Sequence, residues 1–283
     1  MSKLHTQLCD RRAYRFAGRE VVAAGSRSAF EAAAIIGVTL HNQALALCDC
    51  LQSINEQRDL PLSVTVLVLD DDSEDEWQGR LESLAPRNGL VVAQAVCGSA
   101  ALARNRLLDV ADAAFPNAQW VARLDADDRL ASPNSLAALL QKAICSDAKF
   151  VLAGNRLRRN GKLLKRTNPA KAELLRADYV LSRLAGMARG EPEAELPSCN
   201  LLLATHSGWR YPEQTSGEDH WLVAELLLRH ADKGAILTEL FYADYELEGA
   251  TTALNHRQAR HLSARQTLLQ TALKWGGKEK IGA

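Results

Sequence analysis

The segment Trp120-Val121-Ala122-Arg123-Leu124-Asp125-Ala126-Asp127-Asp128 ends a short apolar run in three carboxylates within four residues. Like charges held at about 4–6 Å disfavour one another's ionisation, so such a cluster is best tolerated where a cation sits. Oxygen-only ligands select a hard ion, Mg²⁺ or Mn²⁺. At the carboxyl end of a strand, that ion is well placed to hold a diphosphate. The competing reading is a solvated acidic turn that caps the next helix. It is weakened because Ser132 already supplies a cap and because the acids follow a strand directly.

Two further clusters have the same character. In Asp70-Asp71-Asp72-Ser73 a carboxylate can accept the ring N–H of a uracil-like base or a ribose hydroxyl, and a following helix N-terminus adds backbone donors. Alone, such a stretch is more often a turn with a helix cap; its place at the end of the second strand favours the ligand reading. In Ser216-Gly217-Glu218-Asp219-His220-Trp221 a glycine turn opens an amphipathic helix with two acids. That is either helix-start electrostatics or a general base positioned to take a proton from an acceptor hydroxyl.

The elements that must position these residues alternate. Apolar strand patterns span 33–40, 64–69, 90–95 and 120–124, and helical patterns span 44–57 and 100–114, with a helix after Ser73 whose first turn holds Glu74, Asp75 and Glu76. In the first of these helices Leu45, Leu47, Cys48, Leu51 and Ile54 fall mainly on one face. Four strand–helix alternations call for right-handed crossovers and a mainly parallel sheet covered on both faces, with ligands beyond the carboxyl ends of the strands. The rim therefore gathers Thr39-Leu40-His41-Asn42, Asp70-Asp71-Asp72 and Asp125-Ala126-Asp127-Asp128. Downstream, Ser132 and Pro133 open a helix, and Asn160-Gly161 joins a hairpin of 149–159 and 162–167. Helices follow over 171–189, 218–230 and 255–275, and extended segments over 201–204 and 235–245. Residues 1–30 read as an N-terminal extension laid against the main domain as a short strand or helix, 31–250 as the main domain, and 251–283 as a helical tail.

The 283 residues carry no net charge and few aromatics, 5%. Nothing in that balance draws the protein to nucleic acid. No apolar run reaches the roughly 20 residues that cross a bilayer, and no signal-peptide pattern opens the chain, which leaves peripheral membrane contact as the one membrane role open. The six scattered cysteines make no zinc spacing and read as reduced, mostly buried thiols of a cytoplasmic protein.

Taken in order, Val38-Thr39-Leu40-His41-Asn42, Leu69-Asp70-Asp71-Asp72-Ser73, Ala103-Arg104-Asn105, Leu124-Asp125-Ala126-Asp127-Asp128 and Gly217-Glu218-Asp219-His220 resemble the family-two glycosyltransferases over about residues 33–245. The resemblance implies the GT-A fold, an α/β, Rossmann-like mixed but mainly parallel sheet flanked by helices. It implies an inverting enzyme that moves a sugar from a nucleotide-sugar donor to an acceptor hydroxyl or amine, with Mn²⁺ or Mg²⁺ as cofactor. The acceptor (a glycan, a lipid-linked sugar or a small molecule) is left undetermined, as is any oligomer. By the same resemblance Thr39 and Asp71 would sit by the nucleobase, with His41, Asn42 and Arg104 near the nucleotide. Asp125 would face the ribose or the metal, Asp127 would bind the metal, and Asp128 would contribute through water. Asp219 would be the base and Glu218 would shape the acceptor pocket.

The pattern departs from the family at three places. His41 stands where Tyr is frequent, Asp72 replaces the usual Gly, and no Gln-x-x-Arg-Trp element follows the base, which, with no apolar run of membrane-spanning length, argues against a processive polysaccharide synthase. His206, His220 and His256 read as hydrogen-bonded structural residues, with metal ligation the alternative. Arg156, Arg158, Arg159, Lys162, Lys165 and Arg166 read as a solvated, protected sheet edge, with a phosphorylated or lipid-diphosphate acceptor as the minority reading. The rivals in function are a nucleotidyltransferase that makes a nucleotide sugar, which the glycine-free loop 39–42 disfavours, and a non-catalytic nucleotide-binding module.

Overall fold

The computed structural model describes residues 8–248, apart from 17, 85, 199 and 215, together with 260–276. Its centre is the strand–helix alternation read from the sequence. Strand β3 (Ala34–Leu40) leads through α1 (Ala44–Asn55) to β4 (Val64–Asp71), and α2 (Trp77–Ser83) leads to β5 (Leu90–Ala95). Helix α3 (Ala100–Ala114) returns the chain to β6 (Trp120–Asp125). These four strands are parallel, with β3 between β4 and β6. The chain first builds outward on one side of β3 and then crosses to the other. The crevice beyond the ends of β3 and β6 is therefore the topological switch point, where open α/β sheets bind ligands.

The remaining strands widen the sheet. The first two, β1 (Asp10–Phe16) and β2 (Arg19–Gly25), form an antiparallel hairpin that joins the edge at β5. Beyond β6 come β10 (Leu201–Ala204), β8 (Phe150–Arg159), β11 (Gly234–Glu246) and the two-residue β7 (Arg129–Leu130), while β9 (Lys162–Asn168) pairs with β8. Strand β10 is antiparallel to both neighbours, so the sheet is mixed, as expected. The Asn160-Gly161 hairpin forms as read, with φ of 50° and 75° at its two turn residues.

Two apolar layers cover the sheet. Helix α1, α2 and α4 (Ser135–Ser146) pack on one face through residues such as Leu47, Leu51, Trp77, Leu81 and Leu139. On the other face α3, α5 (Ala177–Ala188), α6 (Glu218–Arg229) and α7 (Arg260–Gly276) bring Leu107, Val180, Leu222 and Leu268 into a second layer. The strands alternate between layers with period two. Ile35, Leu67, Leu69 and Val121 face α3, whereas Ile36, Val38, Val66 and Leu124 face α1.

Several expected details are corrected. Helix α2 starts at Trp77, not after Ser73, because Asp75 instead accepts from Ala44 N at 2.7 Å and caps α1. Helix α4 starts at Ser135; Ser132 N donates to the Ser135 hydroxyl at 2.9 Å, which moves the cap into the preceding turn. The helix expected over 171–189 is a 3-10 turn, Ala172–Leu175, followed by α5. Leu45 is 74% exposed, so the buried face of α1 is carried by Ala44, Leu47, Cys50, Leu51 and Ile54. Cys50 and Cys97 are buried, but Cys9 and Cys145 are exposed. Cys199, His256 and the start of the expected tail helix lie outside the described residues.

Candidate active site

The period-two alternation that builds the two layers also selects the site. On β6, Val121, Arg123 and Asp125 share the α3 face; on β3, Ile35, Gly37 and Thr39 do, and parallel register pairs Thr39 with Asp125. On β4 the same face carries Leu67, Leu69 and then Asp71. Thr39, Asp71 and Asp125 thus emerge side by side at the rim. Asp70 points the other way, to hold Ser73 N at 3.1 Å and Gln94 at 3.4 Å.

Asp125 is the anchor of the acidic loop. Thr39 Oγ1 donates to its Oδ1 at 2.9 Å, Arg104 Nη2 donates to Oδ2 at 3.0 Å, and Arg123 closes on the same oxygen. Burial alone would raise this carboxyl, but Arg104, then Arg123, and the Thr39 bond hold it at about 2. Asp127 and Asp128 have no arginine side chain paired to them among the described residues; the Gln43 side chain bonds Asp127 and lowers its carboxyl only in part. Burial, and then the charge of Asp125, push the Asp127 carboxyl up to about 6. Asp128 is buried, accepts from Glu246 N at 2.9 Å, and is pushed well above the usual carboxylate range by burial and then by Asp127 and Asp125. The loop itself is clamped from below, where Arg158 Nη2 donates to the Asp127 carbonyl at 3.1 Å.

Oxygen atoms of Asp125, Asp127 and Asp128 lie within 4.8 Å of one another. The donor set is oxygen only, and two of its three carboxylates are strained by uncompensated charge. Both properties fit a hard divalent cation, which would offset the burial and the repulsion that together raise those groups. With the Asp125 oxygens already taken by Thr39 and two arginines, Asp127 is the most available ligand.

Arg104 also reaches across the site. Its Nη1 pairs with Glu218 at the start of α6, so one guanidinium joins the acidic loop to the next cluster. Gly217, at φ 73°, makes the left-handed turn into α6. Asp219 then accepts from Ser198 Oγ at 2.8 Å and from its neighbour's backbone, His220 N, at 2.8 Å. Burial opposes its ionisation, but His220, Arg104 and Arg123 together hold the carboxyl well below its usual range. The His220 ring is raised in turn, because Asp219 and then Glu195 outweigh the cost of burial.

The nucleobase end is assembled by the loops after β3 and β4. Asp71 accepts Cys97 N at 2.6 Å on one carboxylate oxygen. His41 Nδ1 donates to the Asp71 carbonyl at 2.6 Å, which fixes the proton on that nitrogen and leaves Nε2 to accept from Asn42 Nδ2 at 3.2 Å. Asn42 ties the two loops together, donating from N to Ser73 Oγ at 3.0 Å and accepting Glu74 N at 2.8 Å. Asp72 occupies a left-handed position, φ 54°, which explains why glycine is usual there and why a short polar residue is tolerated.

Three contributors were missed from the sequence. Arg123 is a charge inside a buried strand, 6% exposed, and its place two residues before Asp125 on one strand face was the available signal. Tyr211 is buried with its ring 5.7 Å and 5.8 Å from the guanidinium carbons of Arg104 and Arg123. Asn105 locks Tyr211 there by exchanging bonds of 2.8 Å and 2.7 Å with its backbone. Ser198 carried no sequence signal, since its loop is placed only by tertiary packing. Of the histidines, His206 is 61% exposed and lies by Asp112, and His220 sits between Asp219 and Glu195. The basic hairpin is largely neutralised: Arg156 grips Asp244, Arg158 lies between Asp49 and Glu246, Arg159 pairs with Glu248 and Arg166 with Glu195.

The sequence model of glycosyl transferase family 2 matches residues 35–188, which hold β3 to β9, the rim acids and Arg104. The chain belongs to this family. No protein of curated function matches it by sequence. Solved structures share the fold. The S. aureus TarS fragment 1–349 in complex with UDP-GlcNAc has a TM-score of 0.59 at 18% identity, over 86% of this chain and 72% of that one. Glucosyl-3-phosphoglycerate synthase from Mycobacterium tuberculosis, with Mn²⁺, UDP and glucosyl-3-phosphoglycerate, has a TM-score of 0.53 at 16% identity, over 87% and 80%. The mannosyltransferase PcManGT from Pyrobaculum calidifontis, with GDP-Man and Mn²⁺, has a TM-score of 0.53 at 16% identity, over 89% and 76%. The fold is GT-A, and this member of family two is a glycosyltransferase. Among the described residues no helix is long and apolar enough to cross a membrane.

Proposed function

We propose that the protein transfers a sugar from a nucleoside-diphosphate donor to an acceptor hydroxyl or amine by a single inverting displacement. The observation that carries this reading is the double reach of Arg104, which joins Asp125 of the acidic loop to Glu218 at the head of the helix that bears Asp219. Metal pole and base are thereby built on one scaffold. The neighbours' ligands, UDP-GlcNAc, UDP with Mn²⁺ and GDP-Man with Mn²⁺, support the donor class.

In this reading Asp71 offers its remaining oxygen to a ring N–H of the base, with His41 and Asn42 fixing the loops around it. Asp127 would hold Mn²⁺ or Mg²⁺, with Asp125 and Asp128 contributing to the negative field. A divalent ion there would stabilise the diphosphate charge that grows as the glycosidic bond breaks. Asp219 accepts the acceptor's proton while the acceptor oxygen attacks the anomeric carbon and the diphosphate departs with the bonding pair. Glu218, held by Arg104, borders the acceptor side. Free thiols with no disulfide among the described residues support a cytoplasmic setting.

The experiment is the anomeric configuration of the product, read by proton NMR coupling after transfer from an α-linked nucleotide sugar. A β-linked product supports the reading; an α-linked product overturns the single displacement.

A further inference from the structure

We infer that His220, Glu195 and Arg265 form a positioning chain for the base, which makes the C-terminal helix α7 part of the active site although it lies outside the family-matched segment. This rests on the reading of Asp219 as the base. The geometry is an alternation of charge. His220 Nδ1 stands 3.2 Å from Asp219 Oδ1, and its Nε2 faces Glu195 Oε1 at 3.8 Å. That same Glu195 oxygen receives Arg265 Nη2 of α7 at 2.5 Å.

Glu195 is not a casual neighbour. Arg183 of α5 donates to its carbonyl at 2.5 Å, and Arg166 of β9 lies 3.7 Å from its second carboxylate oxygen. Two elements, α7 and β9, therefore hold the carboxylate on the far side of the imidazole, and α5 holds the backbone that carries it. On the near side Ser216 Oγ and His261 Nδ1, 3.0 Å apart, tie the turn before α6 to α7. The groups facing His220 are thus Asp219 on its own helix, Glu195 on the loop, and Arg265 and His261 on α7. Arg166 stands behind Glu195, and Arg104 and Arg123 behind Asp219.

Physically, an imidazole with Nδ1 against Asp219 at 3.2 Å and buried Nε2 turned toward the Glu195 carboxylate at 3.8 Å is held in place by charge on both sides, with no hydrogen bond on the Glu195 side. A base fixed by a second group that is itself held by a third is the arrangement by which enzymes keep a proton acceptor aimed at its substrate. His220 and Glu195 are positioning residues in this reading. Their part is to hold the Asp219 rotamer and to set how readily it takes a proton.

The test needs neither donor nor acceptor. Imidazole and carboxyl titrations are followed by NMR on the full chain, with His220→Gln assigning the His220 signal. In the wild type His220 titrates above the ordinary imidazole value. Glu195→Gln moves that titration to lower pH, Arg265→Leu moves it to higher pH, and His220→Gln moves the Asp219 carboxyl titration upward. An unchanged His220 titration in both Glu195→Gln and Arg265→Leu overturns the chain, and an unchanged Asp219 titration in His220→Gln removes its link to the base. Should Arg265→Leu fail to fold, Arg265→Gln serves the same arm. Failure of the base reading is seen separately, as sugar transfer that survives Asp219→Asn.

Discussion

Arg104 Nη2 lies 3.0 Å from Asp125 Oδ2, and the same guanidinium grips Glu218. The arginine projects from α3, the aspartate ends β6, and the glutamate starts α6. One planar fork therefore spans three elements, which a point charge on a flexible stem does not do.

Replacing Arg104 by Leu removes the shared partner of two buried carboxylates. Breaking a buried ion pair typically costs about 3–5 kcal/mol, and urea unfolding of Arg104→Leu is expected to show a loss of that order. Arg104→Lys retains the charge but not the fork, so it recovers part of the stability while nucleotide binding stays weakened. Wild-type stability in the Leu variant would mean that Asp125 and Glu218 do not depend on this residue.

Asp127→Ala is expected to remove the metal-dependent part of nucleotide binding. Titration calorimetry with UDP and GDP, with and without Mn²⁺, reads this directly. Loss of outer-shell partners alone costs about 10–100-fold in metal affinity, so loss of the principal ligand should cost at least that much. If Mn²⁺ still tightens nucleotide binding in the variant, the ligand assignment is wrong.

Metal binding should rise with pH across the acid range. The Asp127 carboxyl is pushed up to about 6 in the fold, above its ordinary value of 3.8. Its folded-state proton thus stabilises the metal-free protein fully below pH 3.8, and that contribution is lost as the pH climbs through about 6. A cation must displace that proton, and its affinity improves as the proton leaves. The increase in melting temperature on adding Mn²⁺ is therefore expected to be small at pH 5 and larger at pH 7. A Mn²⁺ effect that is flat or shrinks over this interval contradicts the account.

For Asp219→Asn the expectation is a loss of turnover with donor affinity preserved. General base catalysis contributes typically 10²–10⁴-fold, so transfer should fall by about that factor while the dissociation constant for the nucleotide stays near the wild-type value. Equal losses in binding and turnover would assign Asp219 to the donor pocket.

Much of this site was legible because strand periodicity is strict. The parallel sheet and its acidic rim follow from the strand–helix alternation; with β3 lying between β4 and β6, the alternation of Leu67, Leu69 and Asp71, or of Val121, Arg123 and Asp125, decides which acids share a face. The same rule marked Arg123, whose charge in an apolar strand was passed over. Helix starts were less legible because side chains cap helices other than their own, as Asp75 does for α1. Ser198, Glu195 and Arg265 left no local pattern at all. Their roles depend on loops and a terminal helix that meet α6 only in the folded chain. The N-terminal extension was legible only as a short strand or helix: edge strand β1 alternates half-buried Tyr14 and Phe16 with exposed Ala13 and Arg15, but seven residues of mixed polarity are too few for that alternation to decide between the two.

The central claim is that one divalent ion sits at the acidic loop, facing Asp219. Anomalous diffraction at the manganese edge, from crystals grown with Mn²⁺ and UDP, tests it most directly. The account predicts a single strong peak in contact with Asp127 and the diphosphate, with Asp219 lining the open side of the same pocket. A peak remote from Asp127, or a diphosphate bound with no ion beside it, would contradict the account.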